Sequence, residues 1–397
     1  MSLSLNSHLL LVPVEIRKDK KNYIVEDKTT GKFYEMPKIC IDAILLINRG
    51  VHLGAIEKQL QEKYPNEEVD LLNFAELLIE MYLIAELDGE KIERNPEQVS
   101  KEKLGFVSIP PKIGKLFFNK IAYYFYSALF LLNLFFFISK PSLFPNYKDL
   151  FVFEYITFNI PTWLIITFIL VLIHESGHVL AMRAYNLPTK LEVGHRLFLV
   201  VLETDMESAW KLSSIQRNVL YLAGVCFDTV ILSVALVSQL ASLNGSGFIH
   251  SIMNIIILDT FIRMVYQLCI YMKTDFYYVL ENISGCYNLM ENAQHLIKKK
   301  LPMLYPKKEG DEDEVFAGEK KNVILYSFFY FIGVVLMVAL YIFFFIPQLL
   351  YAWKKVLPGF SYGINSYAFW DAIVFSLQVL VGVALLLYSW RKKYLQR

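Results

Sequence analysis

The sequence predicts an all-α polytopic membrane helix bundle of about six spans, preceded by a small α+β, winged-helix-like soluble domain. Three observations carry that reading. Apolar residues make up 55% of the 397, and charged residues only 19%. Aromatic residues reach 15%, with 30 Phe and 25 Tyr, a balance that suits a chain with most of its length in lipid. The polarity also changes sharply near residue 115, and the long apolar runs all lie after it.

The stretch before that change reads as a folded module over 1–100, joined by a linker, 101–120, to the membrane domain, 121–397. Residues 9–16 and 22–36 are strand-like, and Asp27-Lys-Thr-Thr-Gly31 interrupts the second as a turn, which predicts a hairpin. Ile39, Ile41, Ala43, Ile44, Leu45 and Ile47 follow helical spacing up to Gly50. A second helix is expected over 53–64, stopped by Pro65, and a third over 69–82, with a last strand over 83–87.

After residue 115, six apolar segments approach or exceed the ~20 residues that cross a bilayer. They lie at 121–138, 161–181, 219–243, 248–272, 323–346 and 368–390. The short Asn244-Gly-Ser-Gly247 turn makes the third and fourth an antiparallel pair. Cations are biased to one set of loops: Arg183, Lys190, Arg196, Lys211 and Arg217, then Lys298–Lys300, Lys307, Lys308, Lys320 and Lys321, then the tail. The opposite loops carry Lys140, Lys148, Lys354 and Lys355. The positive-inside rule then places both termini in the cytoplasm. The acidic run 309–314 reads as a solvated part of a cytoplasmic loop.

Net charge of +1 argues against a nucleic-acid partner. Four cysteines without paired spacing suggest neither a disulfide framework nor a thiolate metal site. The N-terminus lacks the basic start and apolar run of a signal peptide.

The chemistry concentrates in Leu172-Ile-His-Glu-Ser-Gly-His178. On a helix His174 and His178 fall one turn apart on one face, so both imidazoles reach one ion. Glu175 stands beside them as the base for the attacking water. Gly177 leaves room for another segment to approach. The same residues could instead form a polar cluster satisfied by neighbouring helices, but such groups inside an apolar span normally mark function. Hydrolytic zinc usually takes a third protein ligand. Asp275, Asp259, Asp228, His195 and Asp205 are the alternatives that spacing leaves open.

His174-Glu-Ser-Gly-His178 in one span, with a distant aspartate at the end of another, resembles the site-2 protease family of intramembrane zinc metalloproteases. The resemblance spans roughly residues 160–295. It implies that Asp275, in Thr274-Asp-Phe-Tyr277, is the third zinc ligand, with Phe276 where that family often has glycine. Tyr278 to Leu289 resembles the continuation in peptide-zinc-metalloprotease members. Leu222-Ala-Gly224 resembles a segment that precedes an Asn or Asp in the third core span, here Asp228. Asp228 itself reads as a helix-packing group or one that positions substrate.

The N-terminal module resembles the leader-peptide recognition domain of ribosomal peptide maturation systems, carried by residues 23–36, 39–47 and 69–87. That implies peptide binding by strand addition in a groove between Lys32, Phe33, Tyr34, Glu35 and Met36 and the helix 69–82. The expected function is cleavage of a ribosomally made, modified precursor peptide during maturation or export, with Zn2+ as cofactor. A peptide exporter and a peptide-modifying enzyme are expected partners in a bacterial cytoplasmic membrane. Regulated intramembrane proteolysis of a signalling protein is the first alternative. A non-catalytic escort or immunity protein is the second.

Overall fold

A computed structural model describes residues 3–92, 105–196, 199–241, 247–300 and 319–395. It is mostly helical and falls into two compact units, 1–104 with 206–216, and 105–205 with 217–397.

In the first unit, strands β1 (Leu9–Leu11), β2 (Val14–Asp19), β3 (Asn22–Asp27) and β4 (Phe33–Met36) precede helices α1 (Lys38–Ile47), α2 (Leu53–Lys63) and α3 (Leu71–Glu80). Strands β5 (Ile84–Leu87) and β6 (Glu90–Lys91) follow. The strands form two three-stranded sheets, ordered β1-β5-β6 and β2-β3-β4. The expectation of one strand over 9–16 is corrected. Pro13, with no N–H for a ladder, separates β1 from β2 and the two halves join different sheets. A tight hairpin between β2 and β3 also escaped the sequence reading; Asp19 pairs with Asn22 and Lys20 turns at φ 48°. The expected turn after β3 is present. Asp27 accepts from the Thr29 backbone at 2.8 Å and from the Thr29 and Thr30 hydroxyls at 2.6 and 2.8 Å. Ile44, Ile47, Leu53, Ile56, Ala75 and Leu78 turn inward from the three helices onto Val25, Leu83 and Leu87. The unit is not continuous in sequence, because 206–216 belongs to it: Arg17 Nη2 donates to Trp210 O at 2.6 Å, and Lys211 pairs with Glu26 at 3.0 Å.

Among the described residues six helices are long and apolar enough to cross a membrane, Pro111–Ser139, Ile156–Ala184, Ser214–Ala241, Phe248–Tyr266, Lys320–Phe343 and Tyr367–Tyr388. The chain is therefore read as an integral membrane protein. The first span joins α4 (Pro111–Phe117) to α5 (Lys120–Ser139), whose first turn is capped by Asn119 Oδ1 accepting from Ile121 and Ala122 at 2.9 and 3.0 Å. Within the expected linker, residues 111–117 are thus helical. Pro111 opens a helix there, and Gly114 lies so close to the second span that an added Cβ would stand 2.4 Å from Leu180 O.

The second span is α6 (Ile156–Ala184). After it comes a hairpin absent from the sequence reading, β7 (Leu191–Arg196) paired antiparallel with β8 (Leu199–Thr204). Helices α7 (Ser214–Tyr221) and α8 (Ala223–Ala241) make the third span and α9 (Phe248–Tyr266) the fourth. Leu232, Ala235 and Leu236 of α8 pack with Ile257 of α9, and the Asn244 turn falls outside the described residues. Asn133 Nδ2 donates to Thr229 O at 3.0 Å and receives the Ser233 hydroxyl on Oδ1 at 2.8 Å, tying the first span to the third.

The fourth helix stops at Tyr266, short of the expected 272. A short turn at Ile270–Met272 and Lys273 at φ 52° redirect the chain into α10 (Asp275–Ser284), which ends at Gly285 with φ 64°. Helix α11 (Leu289–Lys300), α12 (Lys320–Leu340), α13 (Ile346–Val356) and α14 (Tyr367–Leu395) complete the unit. The acidic run 309–314 lies outside the described residues. Two cations counted towards orientation are in fact interior: Arg183 is 2% exposed and donates to Ile109 O and Leu187 O, and Arg217 is 0% exposed. The bias therefore rests on the remaining lysines and arginines. No disulfide joins the four cysteines, all of which lie among the described residues.

A candidate metal centre

Helix α6 supplies His174, Glu175 and His178 at the spacing the sequence indicated, all buried. The protons of the two imidazoles are assigned by their partners. His178 Nδ1 lies 3.0 Å from Leu220 O, a group that only accepts, so Nδ1 donates. His174 Nδ1 likewise donates to Asp228 Oδ2 at 2.8 Å. Each neutral ring then presents a bare lone pair on Nε2.

Those two nitrogens meet Asp275. The Nε2 atoms are 3.3 Å apart, and Asp275 Oδ2 stands 3.1 Å from His174 Nε2 and 3.4 Å from that of His178. In the neutral form of both rings three acceptors converge, an arrangement that a cation in their midst would satisfy. Zinc-like bonds of ~2.0–2.2 Å at tetrahedral angles put ligand atoms roughly 3.3–3.6 Å apart. Two sides of the observed triangle, 3.3 and 3.4 Å, fall at the short end of that range, and the third, 3.1 Å, is slightly below it. Among the described residues His174, His178 and Asp275 form the group able to hold a metal ion.

Asp275 is not at the end of the fourth span, as expected, but opens α10 beyond it, where the helix dipole favours a carboxylate. Gln267 fixes the approach: its Oε1 accepts from Asp275 N at 3.0 Å and its carbonyl from the Thr274 hydroxyl at 2.8 Å. Farther along α10, Asn282 accepts from Arg217 Nε at 3.0 Å and donates to Asn218 Oδ1 at 2.5 Å, which binds α10 to α7. Arg217 Nη2 also donates to Tyr287 Oη at 2.7 Å. Burial pushes the Glu281 carboxyl up to about 6 on the same helix, against the lowering effect of the Tyr277 hydroxyl.

Two glycines admit these parts. A Cβ on Gly177 would stand 2.7 Å from Ala223 O, so α6 and α8 touch through backbone, the close approach anticipated for that residue. A Cβ on Gly224 would stand 2.3 Å from His174 Nε2 and 2.6 Å from His178 Nε2. Glu175 is held separately: Thr204 at the end of β8 donates its hydroxyl to Oε2 at 2.7 Å.

Of the alternative third ligands, the side chains of Asp228 and Asp259 are engaged elsewhere. Asp228 meets Nδ1 of His174, the side away from the shared point. Asp259 pairs with Arg263 and accepts from the Thr167 hydroxyl at 2.6 Å. Asp205 closes the base of the β7–β8 hairpin, its N–H donating to Lys190 O at 2.8 Å. His195 lies on β7 opposite Val200.

In the first unit, β4 is the last strand of its sheet, and Tyr34 Oη donates to Met81 O, just past α3, at 3.1 Å. Lys32 precedes the strand and is exposed; Phe33 and Glu35 alternate with Tyr34 and Met36. Met36 is 4% exposed in the core, so its assignment to the substrate groove is corrected: the pleat turns that side chain inward.

No family model, curated protein or solved structure matches the chain.

Thr204, Gln267, Gly224 and the orienting role of Asp228 are what the sequence reading did not supply. For Thr204 a signal existed in Leu199-Val-Val-Leu-Glu-Thr204, a strand-prone run. Gly224 lay within a segment already singled out, without a reason attached to it.

Proposed function

We propose that the chain is an intramembrane zinc endopeptidase of the site-2 protease type, cleaving a ribosomally made precursor peptide. The observation that carries the reading is the convergence of His174 Nε2, His178 Nε2 and Asp275 Oδ2 within 3.1–3.4 Å of one another, with Glu175 on the same helix. Bound zinc would supply Lewis-acid polarisation of the scissile carbonyl. Glu175 takes the proton of the attacking water and returns it to the leaving amine. Thr204 occupies Oε2, which leaves Oε1 as the oxygen that moves the proton. Asp228 and Leu220 O hold the two ring protons on the outward nitrogens and so keep both Nε2 lone pairs inward. The substrate enters unwound, because a helical backbone hides its carbonyls within its own hydrogen bonds. Remaining loop cations support cytoplasmic termini.

The winged-helix-like reading of the first unit makes it the recognition module. Its position at the sheet edge supports β4 as the strand to which a leader segment adds, with main-chain hydrogen bonds giving affinity and Lys32, Phe33 and Glu35 giving selectivity. Tyr34 anchors the strand to Met81 instead of facing the peptide.

Proline at Phe33, Tyr34 or Glu35 tests this, because proline removes a ladder donor. At least one of the three should cut cleavage of a cognate precursor about 10-fold or more while cleavage of a short unselective peptide stays unchanged, with folding checked by circular dichroism. Loss on both peptides equally, or on neither, contradicts recognition at β4. An unaltered chain that cleaves neither peptide removes the peptidase reading itself.

A further inference from the structure

The chemistry assigned so far uses Asp228 only through Oδ2. Its other oxygen, Oδ1, faces Arg263 Nη1 of α9 at 3.5 Å. Arg263 also pairs through Nη2 with Asp259, one turn earlier on the same helix. Asp259 Oδ1 in turn accepts from Thr167 Oγ1 at 2.6 Å, and Thr167 lies on α6 about two turns before His174. The contacts therefore close a ring, from His174 on α6 to Asp228 on α8, to Arg263 and Asp259 on α9, and back to α6.

This ring is dry. The side chains of Asp228, Asp259 and Arg263 are 3%, 9% and 13% exposed, and all three belong to membrane-spanning helices. An ionised carboxylate there is costly unless paired. One arginine balances two carboxylates, and it does so by standing between them. A guanidinium presents a planar fork with donors in fixed directions, which lets a single cation set the separation of two acids. For neutralising Asp259 alone, the contact through Nη2 is sufficient. The second arm, Nη1, stands 3.5 Å from the carboxylate that orients a metal-facing imidazole, an ion pair without a hydrogen bond.

We propose that Arg263 is a positioning residue for the metal centre: by holding Asp228 from behind, it fixes the imidazole of His174 with Nε2 towards the shared ion. This rests on the metal site of the proposed function and adds a partner two contacts away from the His174 imidazole. The ring also sets the register of three spans around that imidazole. A rotation of α9 would therefore be felt at His174 without any change in His178, whose ring is held by Leu220 O instead.

The test is zinc affinity of the full chain in detergent, measured by competition with a chromophoric chelator. Arg263→Met should weaken zinc by about 10–100-fold, the range for loss of a group that orients a ligand. Arg263→Lys should recover part of it. Arg263→Met leaves Asp228 and Asp259 without a cation and can fail to fold, so the deciding variant is Asp259→Asn with Arg263→Met, which removes one charge of each sign. That double variant is expected to match the unaltered chain in thermal unfolding of the metal-free form and to stay about 10–100-fold weaker for zinc. Adding Arg263→Met to Asp228→Asn should cost nothing further, because the two act in series. Zinc affinity in the double variant equal to that of the unaltered chain would overturn the proposal and make Arg263 a counter-ion of Asp259 alone. Absence of zinc binding by the unaltered chain would overturn the metal site together with it.

Discussion

Glu175→Gln should retain the metal and lose about 10²–10⁴-fold of the cleavage rate, the usual contribution of a positioned proton-transfer group. The reason lies in the separation of roles on α6. His174 and His178 point Nε2 at Asp275, whereas the Glu175 carboxylate is held by the Thr204 hydroxyl at 2.7 Å and is not one of the three converging groups. An amide has the same shape and its oxygen still accepts from Thr204, so the local packing survives. What it lacks is a basic oxygen for the water proton. Turnover of a peptide in detergent, with metal content determined on the same sample, reads both quantities. Loss of metal with Glu175→Gln would place Glu175 among the ligands. Unimpaired cleavage would favour a different base, or the non-enzymatic escort reading if function survives without cleavage.

Gly224→Ala should abolish metal binding while leaving the helix intact. Alanine in place of glycine ordinarily favours a helix by up to about 1 kcal/mol. Here the added methyl would lie 2.3 Å from His174 Nε2 and 2.6 Å from His178 Nε2, inside any permitted contact. The imidazoles must turn aside, and both would leave the point they share with Asp275. A fall of about 100-fold or more in zinc affinity is expected, at or beyond the upper end of what losing one orienting partner costs. Helicity by circular dichroism should be unchanged. Zinc affinity like that of the unaltered chain would mean that α8 does not back the two rings.

The membrane bundle was legible because lipid imposes a crude rule, about 20 apolar residues per span, and the chain obeys it six times. His174, Glu175 and His178 were legible because helical spacing alone brings them together. Asp275 was not: it lies 97 positions after His178 in the sequence, and composition offered several acids of equal standing, so a resemblance singled it out. Local rules also misplaced it, because the fourth apolar run continues to Met272 while the helix stops at Tyr266 and reverses through Lys273. Arg217 shows the reverse failure. Sequence counts it as a loop cation, yet Asn282 and Tyr287 draw it fully inside. Met36 was assigned to a groove from its neighbours, whereas strand alternation already turned it towards the core. Thr204 was missed because the segment between the second and third spans was read for its cations and not for its strand pattern.

Two imidazoles one helical turn apart and a carboxylate distant in sequence are expected to hold one metal ion. Metal analysis of the purified full chain after removal of loosely bound ions addresses it directly. The unaltered protein should carry about one zinc per chain, as a single three-ligand site requires. His174→Ala, His178→Ala and Asp275→Ala should each lose most of it, while His250→Ala should not. Full zinc occupancy in Asp275→Ala would contradict the centre as drawn here and return Asp228, Asp259 or His195 to the place of the third ligand.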